Sequence, residues 1–456
     1  MAREPIISVS GLRGIVGETL TPEVARRYAA AFAQVLPPGP VIVTRDGRAN
    51  GGPLVAPVVA GITYDGQHTA LDGGIAATPT IGILVRQHRC AGGIQISASH
   101  NPAEYNGIKL IWTDGHVVAP QVGQDVLDRY RRLSSEDIPE QSLSPPVWLD
   151  DTISSHLALV EDIVDVARIR TRRLRVVLDA NHGAGSLLGE ALLEHFGCDV
   201  RMIGGKPDGL FDHPPEPTAE NLAGVLSEVT RLEANVGFCQ DPDADRLAII
   251  DEGGRYLGEE YTLALCAEHV LRSTPGPIVM NCSTSRMSED VARKYGVPIH
   301  RSAVGEAHVV ELMLATEAVF GGEGNGGVID PRVGLIRDSF VGMALVLDAM
   351  ASRGKTVSAL AAELPRYAIC KTAIKLDREK VPAALAALES EFATADSDKL
   401  DGLRLEWGNP DGSGCWLLVR PSNTEPIVRL VAEAPTADGA QRLCDEGKRV
   451  IRAAVA

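Results

Sequence analysis

Residues 236–246 read VGFCQDPDADR, a short apolar run followed directly by a cluster of carboxylates. The run Val236–Cys239 predicts a buried strand, and a polar loop after such a strand is typical of α/β units. Asp241, Asp243 and Asp245 alternate, so an extended segment would carry all three on one side, where they can converge on one hard cation. Because residues 241–246 offer only carboxylates as ligands, with no His or Cys among them, we expect that cation to be Mg²⁺.

Two other structures would also account for this acidic loop (residues 241–246). An EF-hand would place Glu252 at its twelfth position, but it needs glycine at the sixth, where this chain has Arg246. A solvated acidic turn without an ion stays open. Unpaired, the three carboxylates would repel one another, which favours the cation site.

A second polar loop, the serine loop (residues 97–102, SASHNP), follows a predicted strand at Gly93–Ser97. A hydroxyl beside His100 and Asn101 is a candidate nucleophile, and Lys109 downstream could neutralise a phosphate. The alternative is an ordinary capped turn. The loop lacks the Gly-x-Ser-x-Gly pattern of an esterase elbow.

Two further loops offer binding groups. The glycine loop (residues 321–327, GGEGNGG) carries Glu323 and Asn325, whose oxygens and amide suit sugar hydroxyls. The C-terminal loop (residues 420–426, RPSNTEP) and the following strand have the guanidinium, hydroxyl and amide groups of a phosphate-binding site. These groups belong to Arg420, Ser422, Asn423, Thr424 and Arg429. A flexible loop and a capped turn remain the plain alternatives.

The length of 456 residues allows about three domains at roughly 150 residues each, with two or four also allowed. Three βα-rich units of similar size are followed by a smaller α+β unit. Thr21 and Pro22 predict the start of a helix, and further helices are predicted near Ser154–Val166 and at Ser288–Tyr295, the latter ended by Gly296. Ala318–Phe320 is predicted to be a strand that leads into glycines. We expect boundaries that divide the chain into residues 1–150, 151–254, 255–366 and 367–456. Because each of the four loops follows a strand in its own unit, one shared cleft is predicted.

The charge balance argues against two classes of partner. Lys and Arg number 44 and Asp and Glu number 60, so the net charge is −16, unlike a surface that binds nucleic acid or an anionic membrane. No apolar run approaches the ~20 residues of a membrane span, and the first residues lack a signal-peptide core. We therefore expect a cytoplasmic protein.

Two local patterns resemble nucleotide-binding motifs but are incomplete. Residues 354–356 (GKT) end like a Walker A loop, yet the required earlier glycine is Ala349. Gly183 and Gly185 follow a strand as in a dinucleotide fingerprint, yet the third glycine position is Leu188. A nicotinamide-dependent enzyme is therefore a minor alternative.

Taken in order, these loops resemble the α-D-phosphohexomutase superfamily, which includes phosphoglucomutase/phosphomannomutase and phosphoglucosamine mutase. The resemblance covers nearly the whole chain and extends to residues 11–14 (GLRG), 45–48 (RDGR), 78–80 (TPT) and 304–305 (VG). It implies an α/β fold in which three related mixed α/β domains and a C-terminal α+β domain surround a central cleft.

The resemblance also implies a reaction. Ser99 would be a phosphoserine that donates its phosphoryl group to a sugar monophosphate, and the bisphosphate formed would turn around and return its other phosphoryl group. A Mg²⁺ ion held by Asp241, Asp243 and Asp245 against Ser99 would assist, and a sugar bisphosphate would act as activator. Positive charge at this centre would come from Arg13, Lys109 and Arg246. Glu323 and Asn325 would hold the sugar, and the C-terminal loop residues with Arg429 would hold the distal phosphate.

Two positions depart from the family pattern. Many relatives have Ser where this chain has Asn325 and His where it has Gly327, which leaves proton transfer unassigned by resemblance. We assign proton transfer to Lys109 and organisation of the serine loop to His100. The substrate is expected to be glucosamine phosphate or glucose/mannose phosphate, and the protein a monomer or homodimer. The alternative of another class is a non-catalytic sugar-phosphate binding protein of the same fold.

Overall fold

A computed structural model describes residues 4–8, 11–408, 414–422 and 426–455 of the chain. These residues form four separate β-sheets with helices packed against them. Each sheet is built from consecutive strands of its own part of the chain, so the order of the sheets follows the order of the sequence.

The first sheet has seven strands in the order β1-β2-β6-β5-β3-β4-β7. Its strands are β1 (Ile6–Ser8), β2 (Gly11–Ile15), β3 (Gly39–Arg45), β4 (His68–Ile75), β5 (Gly92–Ile96), β6 (Tyr105–Ile111) and β7 (Val147–Trp148). Its helices are α1 (Pro22–Ala33), α2 (Gly52–Thr63), α3 (Thr78–Gln87) and α4 (Pro120–Arg132), followed by a 3₁₀ turn at Ser135–Asp137.

The first helix begins where the sequence predicts. Thr21 Oγ1 accepts a hydrogen bond from the Val24 amide at 3.2 Å, and Pro22 occupies the first helical position, where no amide hydrogen is needed. The buried face of α1 carries small side chains that let it pack closely on α2. A Cβ at Gly61 of α2 would lie 2.2 Å from the Arg26 carbonyl oxygen, so this close approach requires glycine.

The second and third sheets have four strands each. The second, in the order β11-β10-β8-β9, contains β8 (Arg175–Asp179), β9 (Asp199–Ile203), β10 (Val236–Gln240) and β11 (Leu247–Asp251). The third, in the order β13-β12-β14-β15, contains β12 (Ile278–Asn281), β13 (Ile299–Ser302), β14 (Phe320–Glu323) and β15 (Gly327–Ile329). Nine helices accompany them in the described part of the chain: α5 (Ser154–Glu161), α6 (Val166–Arg172), α7 (Gly185–His195), α8 (Ala223–Arg231), α9 (Glu259–Ser273), α10 (Met287–Tyr295), α11 (Glu306–Thr316), α12 (Ser339–Arg353) and α13 (Val357–Ala361).

The first three sheets share one arrangement. In each, three neighbouring strands are parallel and a fourth joins the edge antiparallel: β4-β3-β5 with β6, β9-β8-β10 with β11, and β13-β12-β14 with β15. The loop between the last parallel strand and the antiparallel strand therefore occupies an equivalent position in all three. This repetition confirms three related mixed α/β units.

The fourth sheet is entirely antiparallel, in the order β16-β20-β19-β18-β17, and it packs against two helices. Its strands are β16 (Ala368–Lys375), β17 (Asp396–Asp398), β18 (Leu403–Gly408), β19 (Gly414–Pro421) and β20 (Ile427–Ala434). A 3₁₀ turn at Arg378–Lys380 precedes α14 (Val381–Glu391), and α15 (Ala437–Val455) ends the described chain. The smaller C-terminal α+β unit is thus confirmed.

Two predicted elements differ in the structure. One helix was expected near Ser154–Val166, but the helix ends at Glu161, and a new one begins after Asp165, whose side chain accepts from the Arg168 amide at 2.9 Å. The strand expected at Ala318–Phe320 lies instead at Phe320–Glu323 and includes two glycines. A Cβ at Gly321 would lie 2.4 Å from Met313 Sδ, so the strand can pack here only without a side chain.

The first sheet extends further along the chain than its first six strands. β7 pairs in parallel with β4 through Leu71 and Val147, so the chain belongs to the first sheet as far as Trp148. The exact boundaries after residues 150, 254 and 366 stay predictions. Among the described residues, the structure contains no helix with both the length and the apolar character needed to cross a membrane.

Candidate active site

The serine, acidic and glycine loops occupy the equivalent position in the three related sheets. The serine loop follows β5, the acidic loop follows β10, and the glycine loop joins β14 to β15. The acidic loop contacts the serine loop, since the Ser99 hydroxyl donates to Asp241 at 2.6 Å. The first residue of β11, Leu247, follows the acidic loop directly and donates its amide to the Gly326 carbonyl of the glycine loop at 3.1 Å. The repeated fold thus brings together loops that are far apart in the sequence.

Arg48 holds the backbone of the serine loop in place. Its guanidinium donates to the carbonyl oxygens of Ser99 and Asn101, both at 2.6 Å, and to that of Pro102 at 2.7 Å. Arg48 is 1% exposed and forms an ion pair with Asp46 at 3.2 Å. This support fixes a strained residue, because Ser99 has a φ of 51°, in the left-handed region that few side chains adopt.

The acidic loop is a turn, which corrects the extended segment expected from the sequence. The Ala244 amide donates to the Asp241 carbonyl oxygen at 2.9 Å, and Ala244 has a φ of 57°. Folding the segment back on itself lets its carboxylates converge more closely than alternation along a strand would. One oxygen from each of Asp241, Asp243 and Asp245 lies within 4.8 Å of the others, and all three residues are buried.

The three carboxylates fit a divalent cation. Oδ1 of Asp243 and Oδ1 of Asp245 are buried and have no hydrogen-bond partner among the described residues. Buried carboxylate oxygens without a partner are costly unless a cation satisfies them. The other oxygens are held in place: Thr78 donates to Asp243 Oδ2 at 2.5 Å, and Lys109 donates to Asp243 Oδ2 and, at 2.9 Å, to Asp245 Oδ2.

The charges around the acidic loop change the pKa of several groups. Burial, with Asp245 and Asp243 adding repulsion, raises the pKa of Asp241 well above its usual range. Although burial opposes it, the pKa of Asp245 is lowered by Arg337 and Lys109. The pKa of Lys109 is raised by Asp243 and Asp245, which outweigh its burial. Lys109 is therefore an ammonium ion in this arrangement.

Three further residues predicted for the site, His100, Arg13 and Arg246, lie beside the serine and acidic loops. His100 Nδ1 is 3.3 Å from Ser99 Oγ, and Arg246 together with burial lowers the pKa of His100 to about 2, so its imidazole is neutral. Arg13 Nη1 donates to the Asn101 side chain at 2.9 Å. Arg246 donates its backbone amide to Asp241 Oδ1 at 3.1 Å. The structure thus groups the predicted cations around the serine and acidic loops.

The glycine loop is connected to the acidic loop through Arg337, a residue the sequence did not single out. Glu323 Oε2 accepts from Arg337 Nη1 at 2.8 Å, and Arg337 Nη2 donates to Asp245 Oδ2 at 2.6 Å. Glu323 Oε1 accepts from Asn281 at 2.7 Å. Asn325 lies between β14 and β15, where its Oδ1 accepts from the Gly327 amide at 3.2 Å.

The C-terminal loop belongs to the fourth sheet, at the end of β19. Arg420 and Arg429 are register partners on β19 and β20, and Ser422 is buried. Arg420 pairs with Asp401 at 3.0 Å, and Asp401 also accepts from the Val304 amide at 3.0 Å, which connects this sheet to the third. The predicted residues Asn423 and Thr424 lie outside the described residues.

Several residues that support the site were only weakly indicated by the sequence. Arg48 and Thr78 lie in the short patterns at 45–48 and 78–80, but the patterns alone did not indicate which atoms they hold. The glycines at 183 and 185 serve packing: a Cβ at Gly183 would lie 2.4 Å from the Pro242 carbonyl oxygen. These glycines therefore let the backbone approach the acidic loop, which explains their likeness to a dinucleotide fingerprint.

Comparison with known protein families gives matches along almost the whole chain. Residues 5–137, 154–254 and 259–367 match alpha/beta/alpha domains I, II and III of phosphoglucomutase/phosphomannomutase, respectively. Residues 372–450 match the C-terminal domain of the same family. The four matched segments correspond to the four sheets.

Individual relatives cover the full length. A probable phosphoglucosamine mutase of Methanopyrus kandleri is 34% identical, over 98% of this chain and 97% of its own. A phosphoglucomutase/phosphomannomutase of Thermococcus kodakarensis is 36% identical, over 98% of both chains. The crystal structure of a phosphoglucomutase/phosphomannomutase family protein from Burkholderia thailandensis has a TM-score of 0.81 and 27% identity, over 98% of both chains. The chain therefore belongs to the phosphoglucomutase/phosphomannomutase family and is an isomerase, an intramolecular phosphotransferase, of that family.

Proposed function

We propose that this chain interconverts hexose 1-phosphates and hexose 6-phosphates through a phosphorylated Ser99. One observation carries the assignment of the nucleophile: the buried Ser99 hydroxyl donates to Asp241 at 2.6 Å, beside two buried carboxylate oxygens that accept no hydrogen bond from the described residues. A hydroxyl placed between a cation site and several fixed positive charges suits phosphoryl transfer, which depends on positioning and charge neutralisation.

The proposed reaction has two transfers. In the first, a hydroxyl oxygen of the sugar monophosphate bonds to the phosphorus on Ser99, and the bond from phosphorus to Oγ breaks, with its electron pair left on Oγ. The sugar hydroxyl loses one proton and Oγ of Ser99 gains one, so the transfer releases no net proton. The sugar bisphosphate then reorients, and Oγ of Ser99 takes the other phosphoryl group by the reverse steps. A sugar bisphosphate supplied from outside would phosphorylate Ser99 in the same way and so act as activator.

We assign a resident Mg²⁺ to Asp241, Asp243 and Asp245, with Ser99 or its phosphoryl group as a further ligand. When bound, the ion supplies positive charge that stabilises the phosphoryl oxygens during transfer. The chain adds its own charges: Arg13, Lys109 and Arg246 surround the same position. Because Lys109 contacts both Asp243 and Asp245, we assign it charge neutralisation and proton transfer at this position. His100 organises the serine loop.

The rest of the proposed site binds the substrate in both orientations. Arg420 and Arg429 are cross-strand partners on β19 and β20, so both side chains leave the same face of the sheet, and two neighbouring guanidinium groups suit a phosphate. This favours a phosphate site formed by these arginines with Ser422, Asn423 and Thr424. Glu323 and Asn325 are assigned to the sugar hydroxyls between the two ends.

For the sugar, we propose glucosamine phosphate or glucose/mannose phosphate, as the names of the relatives suggest. We further propose that the protein acts in the cytoplasm as a monomer or homodimer, without nucleic acid or membrane as partner, in keeping with its net charge of −16. Size-exclusion chromatography with light scattering would determine the oligomeric state.

The direct test is turnover. Purified protein is incubated with Mg²⁺, a catalytic amount of sugar bisphosphate and the 1-phosphate of glucose, mannose or glucosamine. We expect formation of the 6-phosphate from at least one of the three, and the ratio of kcat/KM values identifies the preferred sugar. Failure to convert any of them would refute the proposed function.

A pair of serine variants tests the nucleophile. Ser99→Ala is expected to lower kcat by at least about 1,000-fold, because the covalent intermediate cannot form. Ser352→Ala changes an exposed serine at the end of α12 and should leave turnover unchanged. Substantial activity in Ser99→Ala would mean that another group carries the phosphoryl group.

A further inference from the structure

Arg337 connects three carboxylates that come from three different segments of the chain. It lies just before α12 and is 7% exposed. Nη2 donates to Asp245 Oδ2 at 2.6 Å, Nη1 donates to Glu323 Oε2 at 2.8 Å, and Nε lies 3.4 Å from Glu306 Oε2. The Arg337 amide also donates to Glu306 Oε1 at 2.7 Å. A single buried guanidinium thus holds the acidic loop and the glycine loop in one arrangement.

The position of Arg337 depends on a glycine in the loop that it supports. A Cβ built at Gly327 would lie 2.4 Å from Arg337 Cδ and 2.9 Å from its Cγ. The aliphatic part of Arg337 therefore occupies the space that any side chain at residue 327 would need. The backbone of Gly327 has an ordinary negative φ, so the requirement for glycine here comes from Arg337 and not from the backbone conformation.

The contacts of Asp245 occupy its Oδ2 and leave Oδ1 available to a cation. Oδ2 accepts from both Arg337 and Lys109, at 2.6 and 2.9 Å, whereas Oδ1 is buried without a hydrogen-bond partner among the described residues. Holding Oδ2 sets the rotation of the carboxylate and so the direction of Oδ1. Because the other nitrogen of the same planar guanidinium holds Glu323, a change in one carboxylate is transmitted directly to the other.

We propose that Arg337 is a positioning residue that couples the two ligands of the site, so that a divalent cation on the acidic loop and a sugar phosphate on the glycine loop strengthen each other's binding. The proposal rests on the proposed function, which puts those two ligands on these loops. Arg337 acts through Asp245 and Glu323 and does not itself contact the reacting atoms. By linkage, the factor by which sugar phosphate raises cation affinity equals the factor by which the cation raises sugar-phosphate affinity.

Equilibrium binding tests the coupling without turnover. Mn²⁺ binding to dephosphorylated protein is measured by electron paramagnetic resonance, with and without saturating glucosamine 6-phosphate or glucose 6-phosphate. We expect wild-type protein to bind Mn²⁺ at least about fivefold more tightly when the sugar phosphate is present, at the lower end of typical allosteric coupling. In Arg337→Met, which keeps an apolar stem and removes the cation, this factor should fall to about one.

Three further variants test the role of Arg337 in the coupling. Arg337→Lys keeps the charge but holds only one partner well, so part of the coupling should remain. Gly327→Ala changes no charge, yet it displaces the Arg337 stem and should abolish the coupling as Arg337→Met does. Arg332→Met is the matched control, because Arg332 pairs with Asp330 in the same connection and is 39% exposed. In Arg332→Met, the sugar phosphate should raise Mn²⁺ affinity by the same factor as in wild-type protein.

The outcomes separate this proposal from the proposed function. If wild-type protein interconverts sugar phosphates but shows no coupling, or if folded Arg337→Met keeps the wild-type factor, the coupling role is wrong and the mutase function stands. If Arg337→Met fails to fold, Gly327→Ala decides, and a wild-type factor in that variant overturns the proposal. Binding of neither ligand to wild-type protein would overturn both.

Discussion

At the scale of single residues, the acidic loop shows why three aspartates in alternation do not have equivalent roles. Asp241 accepts from Ser99, Asp243 from Thr78 and Lys109, and Asp245 from Lys109 and Arg337. Each carboxylate thus has its own set of donors, although Asp243 and Asp245 share Lys109. The sequence predicted that the three would converge beside Ser99 and Lys109, but it did not predict the part played by Arg337, which lies 92 positions from Asp245.

Removal of one carboxylate is expected to weaken cation binding. Changes in groups that only support a metal ligand weaken binding about 10- to 100-fold, so Asp243→Asn should weaken it by more than about tenfold. The Mg²⁺ concentration that gives half-maximal turnover measures this effect. Asp212→Asn, on a half-exposed carboxylate of the second unit, is the control. An unchanged Mg²⁺ requirement in Asp243→Asn would contradict the cation assignment.

Glu260 gives a pH-dependent prediction. Burial raises the pKa of Glu260 to about 8 from its usual 4.5, and its Oε1 has no hydrogen-bond partner among the described residues. Between these two pH values the folded protein keeps a proton that the unfolded chain has released, so Glu260 lowers stability progressively as pH rises through this range. The glutamine in Glu260→Gln cannot ionise, so this variant does not lose stability through residue 260 as pH rises.

The melting temperature of Glu260→Gln relative to wild type should therefore increase from pH 5, near the lower end of the titration range of about 4.5 to 8, to pH 8.5, above its upper end. Differential scanning calorimetry at both pH values gives the comparison. A constant difference, or a decrease with rising pH, would show that Glu260 is already ionised at the lower value.

At the scale of elements, the ends of several helices could be predicted because side chains that define them are local. Thr21 and Pro22 begin α1, and Gly296, with a φ of 65°, ends α10. The break at residues 162–165 was missed because apolar residues continue across it. The glycines in β14 were assigned to a loop, since their contact with Met313 across the unit leaves no local signal.

The N-terminus of α12 provides an element-scale prediction. Asp338 Oδ1 accepts from the amides of Phe340 and Val341 at 2.8 and 3.2 Å, and Oδ2 lies 2.7 Å from His156 Nε2. Loss of a helix cap alone costs about 0.5–2 kcal/mol, and the buried His156 would lose a partner as well. Asp338→Ala should therefore melt at a lower temperature and exchange the first amides of α12 faster.

Asp338→Asn is the matched control for this helix. Asparagine can cap a helix as well as aspartate, so this variant should retain most of the protection of α12 against hydrogen exchange. Equal protection in Asp338→Ala and wild type would mean that packing, not the cap, fixes the start of α12.

At the scale of the whole molecule, the sequence predicted three related α/β units and a smaller C-terminal unit, because each unit repeats strands, helices and a polar loop. It also predicted that loops after strands would come together. It did not predict how the units hold one another. Glu406 on β18 of the fourth sheet forms ion pairs with Arg286 and Arg301 of the third unit, at 3.6 and 3.1 Å, and also lies 3.5 Å from Arg404 on its own strand.

Loss of Glu406 is expected to weaken this connection. Glu406→Gln leaves three guanidinium groups with less negative charge between them, and breaking a largely buried ion pair costs about 3–5 kcal/mol, reduced here by partial exposure of Glu406. Calorimetry should show the C-terminal unit melting at a lower temperature. Glu389→Gln breaks an exposed pair with Lys399 in the same unit and should have little effect. Identical melting of both variants would contradict the role of Glu406.

The central claim is that Ser99 carries the phosphoryl group that is exchanged with the sugar. Mass spectrometry of peptides from protein treated with sugar bisphosphate tests it most directly, followed by addition of excess hexose 1-phosphate to remove the label. We predict one phosphate per chain on the peptide containing Ser99, lost when the hexose monophosphate is added. A protein that turns over substrate with the phosphate on another residue, or with Ser99 never phosphorylated, would contradict the account.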